Sequence, residues 1–372
     1  MSTRYPFAAI KEKLHARRGE LADFAIGARK VPLAAELSDW IHANAGLALR
    51  VAGPDEVAEF KTAAALFLHS TYDADVSVEH ILPVPGGRSG MSAFIACVVE
   101  PGAGVLTTEP GYPAFARMAL HRHARPITAY LDPDRDFAPA VDAITEQEQL
   151  SVIALNYPNN PTAAVLTKQT RALVADLAEA HQAVLFNDAV YGPLTYVGHA
   201  SCLLSDRGAW GDGPQFVELH SLTKLYPLGP LSGSFLVGTA ETMHDIATYS
   251  EFAWAPMSAL QIGATTWCLR DEEGRLHIRD FFARQLAQLR GILDELGFSV
   301  FPTPSGIYAL CRVPTKLAGI DVDSAASAAA ILMDRFGIAA MPWDLPDYSF
   351  LRFCSLYADE DLEKLAELKG RL

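Results

Sequence analysis

The chain has 372 residues, half of them hydrophobic, and a formal net charge of -14 at pH 7. That size and composition suit a globular protein with a large core, and the acidic balance argues against nucleic acid or an anionic membrane as a main partner, since phosphate binding needs a basic patch. The five cysteines, Cys97, Cys202, Cys268, Cys311 and Cys354, are odd in number and lack CxxC spacing, so neither a zinc site nor a disulfide framework is expected, and isolated thiols in a reducing cytoplasm are the default.

From the N-terminus, MSTRYPFAAIKEKL lacks the apolar core of a signal peptide, and a helix is expected around residues 6–21. The run AFIACVV is too short to span a bilayer. The stretch PVPGGRSGMSAF (83–94) places glycines after a strand, with a helical pattern beginning near Ser89. Short apolar runs at 104–110, 151–155, 183–188, 215–221 and 232–238 read as strands, nearly continuous in hydrophobicity as strands buried on both faces should be. Helices lie between them, as at 167–182, where Leu173, Val174, Leu177 and His181 share one face. The stretch 196–214 reads as a surface loop. After about residue 255 the pattern changes to two helical stretches, three short strands (SVFPTPS, GIYALCRV, FLRFCSL) and a final charged helix. Strand–helix alternation implies an α/β sandwich with a mostly parallel sheet, followed by a smaller α+β domain. In such sheets ligands sit outside the carboxyl ends of the strands.

Four segments at those ends carry groups suited to chemistry. Gly86, Gly87 and Arg88 open a helix, where free N–H groups favour an anion such as phosphate. NYPNNPTAAVL (156–166) crowds three asparagines and two prolines after a strand. Asp188 ends the run FND, with Tyr191 three residues on. A carboxylate there needs a cation or a hydrogen-bond donor to stay charged. Lys224 follows QFVELHS, Ser221 and Thr223, where burial makes a lysine a usable nucleophile or base. Singly, each has a plainer reading: a turn, a turn, a helix cap, a solvated lysine. Together they are the parts of a pyridoxal phosphate site. The lysine forms a Schiff base, the acid holds the ring nitrogen protonated, the phenol and an amide hold the ring oxygen, and hydroxyls with N–H groups hold the phosphate.

In this order the chain resembles the fold-type I, class I/II pyridoxal-phosphate-dependent aminotransferases, in the diaminopimelate-aminotransferase-like branch. NNPT is similar to the family's N-P-T-G, DAVY to its D-x-x-Y, SLTK to its S-x-S-K, and FLRFC to the segment with the carboxylate-binding arginine. The resemblance implies a three-layer α/β/α sandwich plus a smaller α+β C-terminal domain. Its expected boundaries are an N-terminal segment 1–40 joining the small domain, a large cofactor-binding domain 41–255 and a small domain 256–372. It implies Lys224 as the Schiff-base lysine and proton carrier, and Asp188 on the pyridine nitrogen. Tyr191 and Asn160 fall to the ring oxygen, and Tyr112 stacks on the ring. Gly86, Gly87, Arg88, Ser221 and Thr223 form the phosphate cradle. Arg352 takes the substrate α-carboxylate, with Asn160 and the backbone of Gly27 lining the pocket. It further implies a small amino-acid substrate and a homodimer with shared active sites.

The chain departs from the pattern at three places. Ser232 stands where the family has a phosphate-gripping arginine, Ala163 replaces the glycine after NPT, and GLALRVAGPDE has no tyrosine to reach a partner's phosphate. Either the cofactor is held more weakly, or another cation compensates, with Arg50 and Arg88 as the candidates. Two chemistries remain open. One is transfer of an amino group from an amino acid to a 2-oxo acid. The other is β- or γ-elimination, replacement or cyclisation, including on an S-adenosylmethionine-like substrate. A non-enzymatic regulator would need an appended DNA-binding domain, for which the chain has no room. His220 reads first as a hydrogen-bonded structural histidine and second as a cofactor contact, and WAP and MPWD read first as packing residues and second as pocket lining. No GxGxxG follows a strand and no metal-ligand spacing appears, so neither nicotinamide nor metal is expected.

Overall fold

The computed structural model describes residues 6–17, 19–26, 33–141, 144, 148–205, 213–231 and 233–372. The chain forms two compact units. The smaller comprises Met1–Val31, Asn160–Ala163 and Asp280–Leu372, and the larger comprises Pro32–Asn159 and Ala164–Arg279. The larger unit therefore runs past the change of pattern near residue 255, because a helix beyond that point packs against the helix that opens the large unit.

The first described elements are α1 (Pro6–Ala16) and a two-residue strand β1 (Ala22–Asp23). The larger unit then follows with α2 (Ala35–Ala43), α3 (Pro54–Tyr72), β2 (Ile81–Val84), α4 (Gly87–Val98), β3 (Gly104–Glu109) and α5 (Ala114–His121). Next come β4 (Arg125–Asp132), β5 (Ala138–Pro139), β6 (Leu150–Leu155), α6 (Lys168–His181) and β7 (Val184–Asp188). It ends with β8 (Phe216–Ser221), β9 (Ser234–Gly238), α7 (Ala240–Ala253) and α8 (Ala259–Arg270). Its eight strands form one sheet in the order β2-β9-β8-β7-β6-β3-β4-β5. Strands β4, β3, β6, β7 and β8 are parallel to one another, while β9 runs antiparallel to β8 and β2, and β5 antiparallel to β4.

Burial explains why these runs are strands. Residues 184–188 and 216–221 are almost wholly inaccessible, so both faces of β7 and β8 are covered. On one face Phe186, Val217, Leu219 and Leu236 pack with Met91, Phe94 and Ile95 of α4 and Met243 and Ile246 of α7. On α3, Phe60 and Phe67 meet Phe235 edge-on at 6.3 and 6.2 Å. Each such buried phenylalanine contributes about 2–3 kcal/mol. Helix α6 starts at Thr167, whose hydroxyl accepts the Thr170 N–H. Its buried stripe is Thr170, Arg171, Val174 and Ala178, with Leu173, Leu177 and His181 on its half-buried flank. The face is thus rotated from the one the leucines suggest, because small residues let α6 lie close to the sheet.

The smaller unit carries the short strands and last helices of the chain. After α9 (Glu272–Glu295) these are β10 (Ser299–Val300), β11 (Tyr308–Arg312), β12 (Lys316–Leu317), β13 (Ile320–Asp321) and α10 (Ala325–Phe336). Then come β14 (Ile338–Ala339), β15 (Met341–Asp344), β16 (Ser349–Cys354) and α11 (Asp359–Ala366). An antiparallel sheet runs β10-β11-β16-β15, and β1 pairs in parallel with β14. The expected strand SVFPTPS shortens to β10, since prolines at 302 and 304 supply no N–H to a ladder.

Ala163 lies in this unit at φ +61°, the left-handed region that glycine enters freely and alanine does not. Its carbonyl accepts the buried Ser305 hydroxyl at 2.6 Å, which holds the turn in place. Replacing Ala163 by Gly removes the steric cost while keeping this bond. The substitution is expected to raise stability by about 0.5–1 kcal/mol, read as a higher urea midpoint at unchanged m-value.

Candidate active site

Three neighbouring strands of the larger unit bring their carboxyl ends side by side. In β6, β7 and β8, Leu155 pairs with Asn187 and Asp188 pairs with Leu219. Asn156, just past β6, donates its amide to the Asp188 carbonyl at 2.9 Å and so pins the end of β7. The Asp188 side chain is buried, and its Oδ1 has no hydrogen-bond partner. Burial pushes its carboxyl up to about 6, against the opposing pull of the Val190 N–H and the charges of Lys224 and His220.

Lys224 is half-buried rather than enclosed, with its Nζ 5.5 Å from the centre of the buried Tyr191 ring. The hydroxyls around it form a chain. Ser234 donates to Ser221 at 2.8 Å, Ser221 donates to Thr223 Oγ1 at 3.1 Å, and the Thr223 N–H returns to Ser221 Oγ at 3.3 Å. Ser234 was not singled out from the sequence, although its place opposite Ser221 in the β8–β9 register is the signal that finds it.

Gly86 precedes α4 at φ +137°, and α4 has no side-chain cap. Its first internal bonds are Ser89 N–H and Gly90 N–H to Gly86 O, which leaves the Gly87 and Arg88 N–H groups at the open end of the helix. A Cβ on Gly87 would stand 3.3 Å from Leu219 and 4.0 Å from the Ser234 hydroxyl, so this end of α4 lies against the hydroxyl chain. The side chains of Arg88 and Thr223 are exposed, and Tyr112 is partly so. Arg50 is committed elsewhere, since its guanidinium holds both oxygens of Glu56 at 2.8 and 2.6 Å. That bond and the Gly53 N–H hold the Glu56 carboxyl down at about 2. Ser232 and Gly27 lie outside the described residues.

In the smaller unit Arg352, on β16, is buried with its guanidinium 4.0 Å from the Tyr308 ring centre and 5.4 Å from that of Trp343. Its Nη1 donates to Asn160 Oδ1 at 2.8 Å and its Nη2 to the Ala25 carbonyl, while Nε is buried without a partner. Asn160 and Arg352, 192 positions apart, are therefore one hydrogen-bonded pair. Trp343 of MPWD stands as an aromatic wall for this cation.

The larger unit's groups fit pyridoxal phosphate. An unpartnered buried carboxylate oxygen suits a protonated ring nitrogen, and free N–H groups beside a hydroxyl chain suit a phosphate. Among the described residues no cluster of three His, Cys, Asp or Glu side chains is placed to hold a metal ion.

The profile of the family described as aminotransferase class I and II matches residues 25–368. An LL-diaminopimelate aminotransferase of Methanocaldococcus jannaschii is 28% identical over 319 residues, covering 84% of this chain and 75% of that one. The L-glutamine--4-(methylsulfanyl)-2-oxobutanoate aminotransferase of Bacillus subtilis is 30% identical over 68% of this chain and 64% of its own length. Among solved structures, N-succinyldiaminopimelate aminotransferase from Mycobacterium tuberculosis shares the fold with a TM-score of 0.86 at 22% identity, covering 100% of this chain and 98% of that one.

The buried carboxylate has a measurable consequence. With Asp188 raised from an ordinary value of 3.8 to about 6 in the folded state, the folded protein holds more protons than the unfolded chain between those limits. Stability is therefore lost as pH rises from 4 to 6, by about 3 kcal/mol in the cofactor-free protein. Asp188→Asn is expected to be more stable than the parent above pH 6 without cofactor, with the difference vanishing near pH 4, as measured by urea unfolding across that range.

Proposed function

Since the chain belongs to the class I and II aminotransferase family, we propose that Lys224 is the amine that tethers its pyridoxal 5'-phosphate and the base that moves the proton at the substrate's α-carbon. The enzyme is a transferase that passes the amino group of an amino acid to a 2-oxo acid. When bound, the cofactor supplies an aldehyde that takes up amines and a ring that accepts the electron pair left by the departing α-proton.

The residues then divide the work. Asp188 keeps the ring nitrogen protonated, so that the ring can draw electrons from the substrate. The orphaned Oδ1 of this buried carboxylate is the observation that carries the reading. Tyr191 and Asn160 hold the ring oxygen, and Tyr112 covers the ring face. The N–H groups of Gly86, Gly87 and Arg88, with the hydroxyls of Ser221 and Thr223, hold the phosphate. Arg352 takes the substrate α-carboxylate in its planar fork, and Asn160 and Gly27 line that pocket. Arg88 is the better compensation for the residue missing at Ser232, since Arg50 is already neutralised by Glu56.

The relatives reported above are named for amino-group transfer, which favours that reaction over elimination or cyclisation. Their names also suggest an amino donor with a second polar group beyond the α-carbon. A homodimer is supported by apolar side chains left bare on the larger unit, with Leu49 92% and Phe252 86% exposed. A cytoplasmic location is supported by free cysteines, and no helix among the described residues is long and apolar enough to cross a membrane.

Borohydride reduction of the holoenzyme should leave the cofactor fixed to Lys224, as read by peptide mass spectrometry; an unmodified Lys224 refutes the assignment. Lys224→Ala should lower turnover by about a thousandfold or more, with the fold unchanged by circular dichroism. Arg352→Lys should raise KM for the amino acid by about tenfold to a hundredfold, with a smaller change in kcat. Incubation with LL-diaminopimelate, glutamine and other amino acids should yield the pyridoxamine form and a 2-oxo acid, whereas ammonia without pyridoxamine would mark elimination.

A further inference from the structure

Cross-strand pairing in β8 and β9 sets Leu219 opposite Leu236 and Ser221 opposite Ser234. Side chains two apart in a strand share a face, so the two serines continue the face of the two leucines. That face is the one α4 covers, since Leu219 and Leu236 pack with Met91 and Phe94. The helix lies close because its first turn carries glycines. A Cβ on Gly90 would stand 3.1 Å from both Leu236 and Val84, and one on Gly87 3.3 Å from Leu219 and 4.0 Å from the Ser234 hydroxyl. The sheet therefore places two buried hydroxyls, those of Ser221 and Ser234, beside the uncapped start of α4.

Hydrogen-bonding capacity fixes the direction in which these hydroxyls point. A hydroxyl has one proton to give and two lone pairs to receive. Ser221 Oγ receives the Ser234 proton at 2.8 Å and the Thr223 N–H at 3.3 Å, so both its lone pairs are filled. Its own proton goes outward, to Thr223 Oγ1 at 3.1 Å. Thr223 accepts that bond at the exposed end of the chain and keeps its own proton to give. The order thus runs from the buried Ser234 to the exposed Thr223, and each bond polarises the next in the same sense. A phosphate oxygen takes protons, so a chain ordered this way presents the end that suits it. Ser234 fills the inner lone pair of Ser221 and so keeps the Ser221 proton turned outward.

We propose that Ser234 is a positioning residue of the cofactor site, which acts through Ser221 to hold the Thr223 hydroxyl as a proton donor to the phosphate. It adds a neutral source of binding where position 232 carries no arginine. This role rests on the phosphate lying at the start of α4, beside Ser221 and Thr223.

The test compares pyridoxal 5'-phosphate with pyridoxal, which lacks only the phosphate, as ligands of the full-length, cofactor-free chain. Dissociation constants are read from the absorbance change on binding. Ser234→Ala should weaken pyridoxal 5'-phosphate by about tenfold and leave pyridoxal within about twofold of the parent. In a Thr223→Val background the same substitution should weaken pyridoxal 5'-phosphate by less than about twofold, because the donor it positions is gone. A serine that only fills the core would weaken both ligands alike, or would cost as much with Thr223→Val as without it. Either result overturns the proposal, as does an unchanged dissociation constant for pyridoxal 5'-phosphate. Should Ser234→Ala not fold by circular dichroism, Ser234→Cys, with a similar shape and a weaker donor, is held to the same criteria. The reading of the phosphate site fails separately, if the parent itself binds the two ligands equally well.

Discussion

A carboxylate closed inside a protein must be matched by a donor or a positive charge, and Asp188 is matched only in part. The Val190 N–H favours its charged form, while Oδ1 has no hydrogen-bond partner. A protonated pyridine nitrogen would supply the missing partner. The surrounding architecture serves that one position. The parallel pairing of β6, β7 and β8 brings Asn156, Asp188 and Lys224 to neighbouring strand ends. The Asn156 amide fixes the backbone of β7, and aromatic packing on β8 and β9 makes the sheet rigid beneath it.

The departures from the family motifs have different physical weights. Ala163 keeps the left-handed turn that a glycine makes without strain, and the Ser305 hydroxyl braces it. The substitution is thus absorbed locally. Ser232 lies outside the described residues, and a hydroxyl carries no charge to replace that of an arginine. A phosphate here would depend on the open end of α4 and on the linked hydroxyls of Ser221, Thr223 and Ser234. Arg50 does not serve as a reserve, because Glu56 holds its guanidinium with two bonds.

In the smaller unit, Arg352 is fixed from several sides. Two aromatic rings fix its plane, and Asn160 and the Ala25 carbonyl take two of its donors. The remaining buried Nε–H has no partner. An arginine held this firmly loses little freedom on binding a carboxylate, which favours affinity over adaptability.

Much of this was legible in the chain itself. The continuous apolar runs of β6, β7 and β8 announce buried parallel strands, and NNPT, DAVY and SLTK mark their ends, because strand burial and turn chemistry are local properties. The Ser221–Ser234 link, the Arg50–Glu56 pair and the aromatic walls of Arg352 were not. Each depends on which residues meet through strand register, loop course or the docking of a helix, and no short-range pattern encodes those meetings. Sequence by itself determined the run of buried parallel strands, the family and the candidate reactive side chains. Only the tertiary structure decided which charges are already neutralised and which buried groups still lack a partner, since pairing and burial arise when distant segments pack.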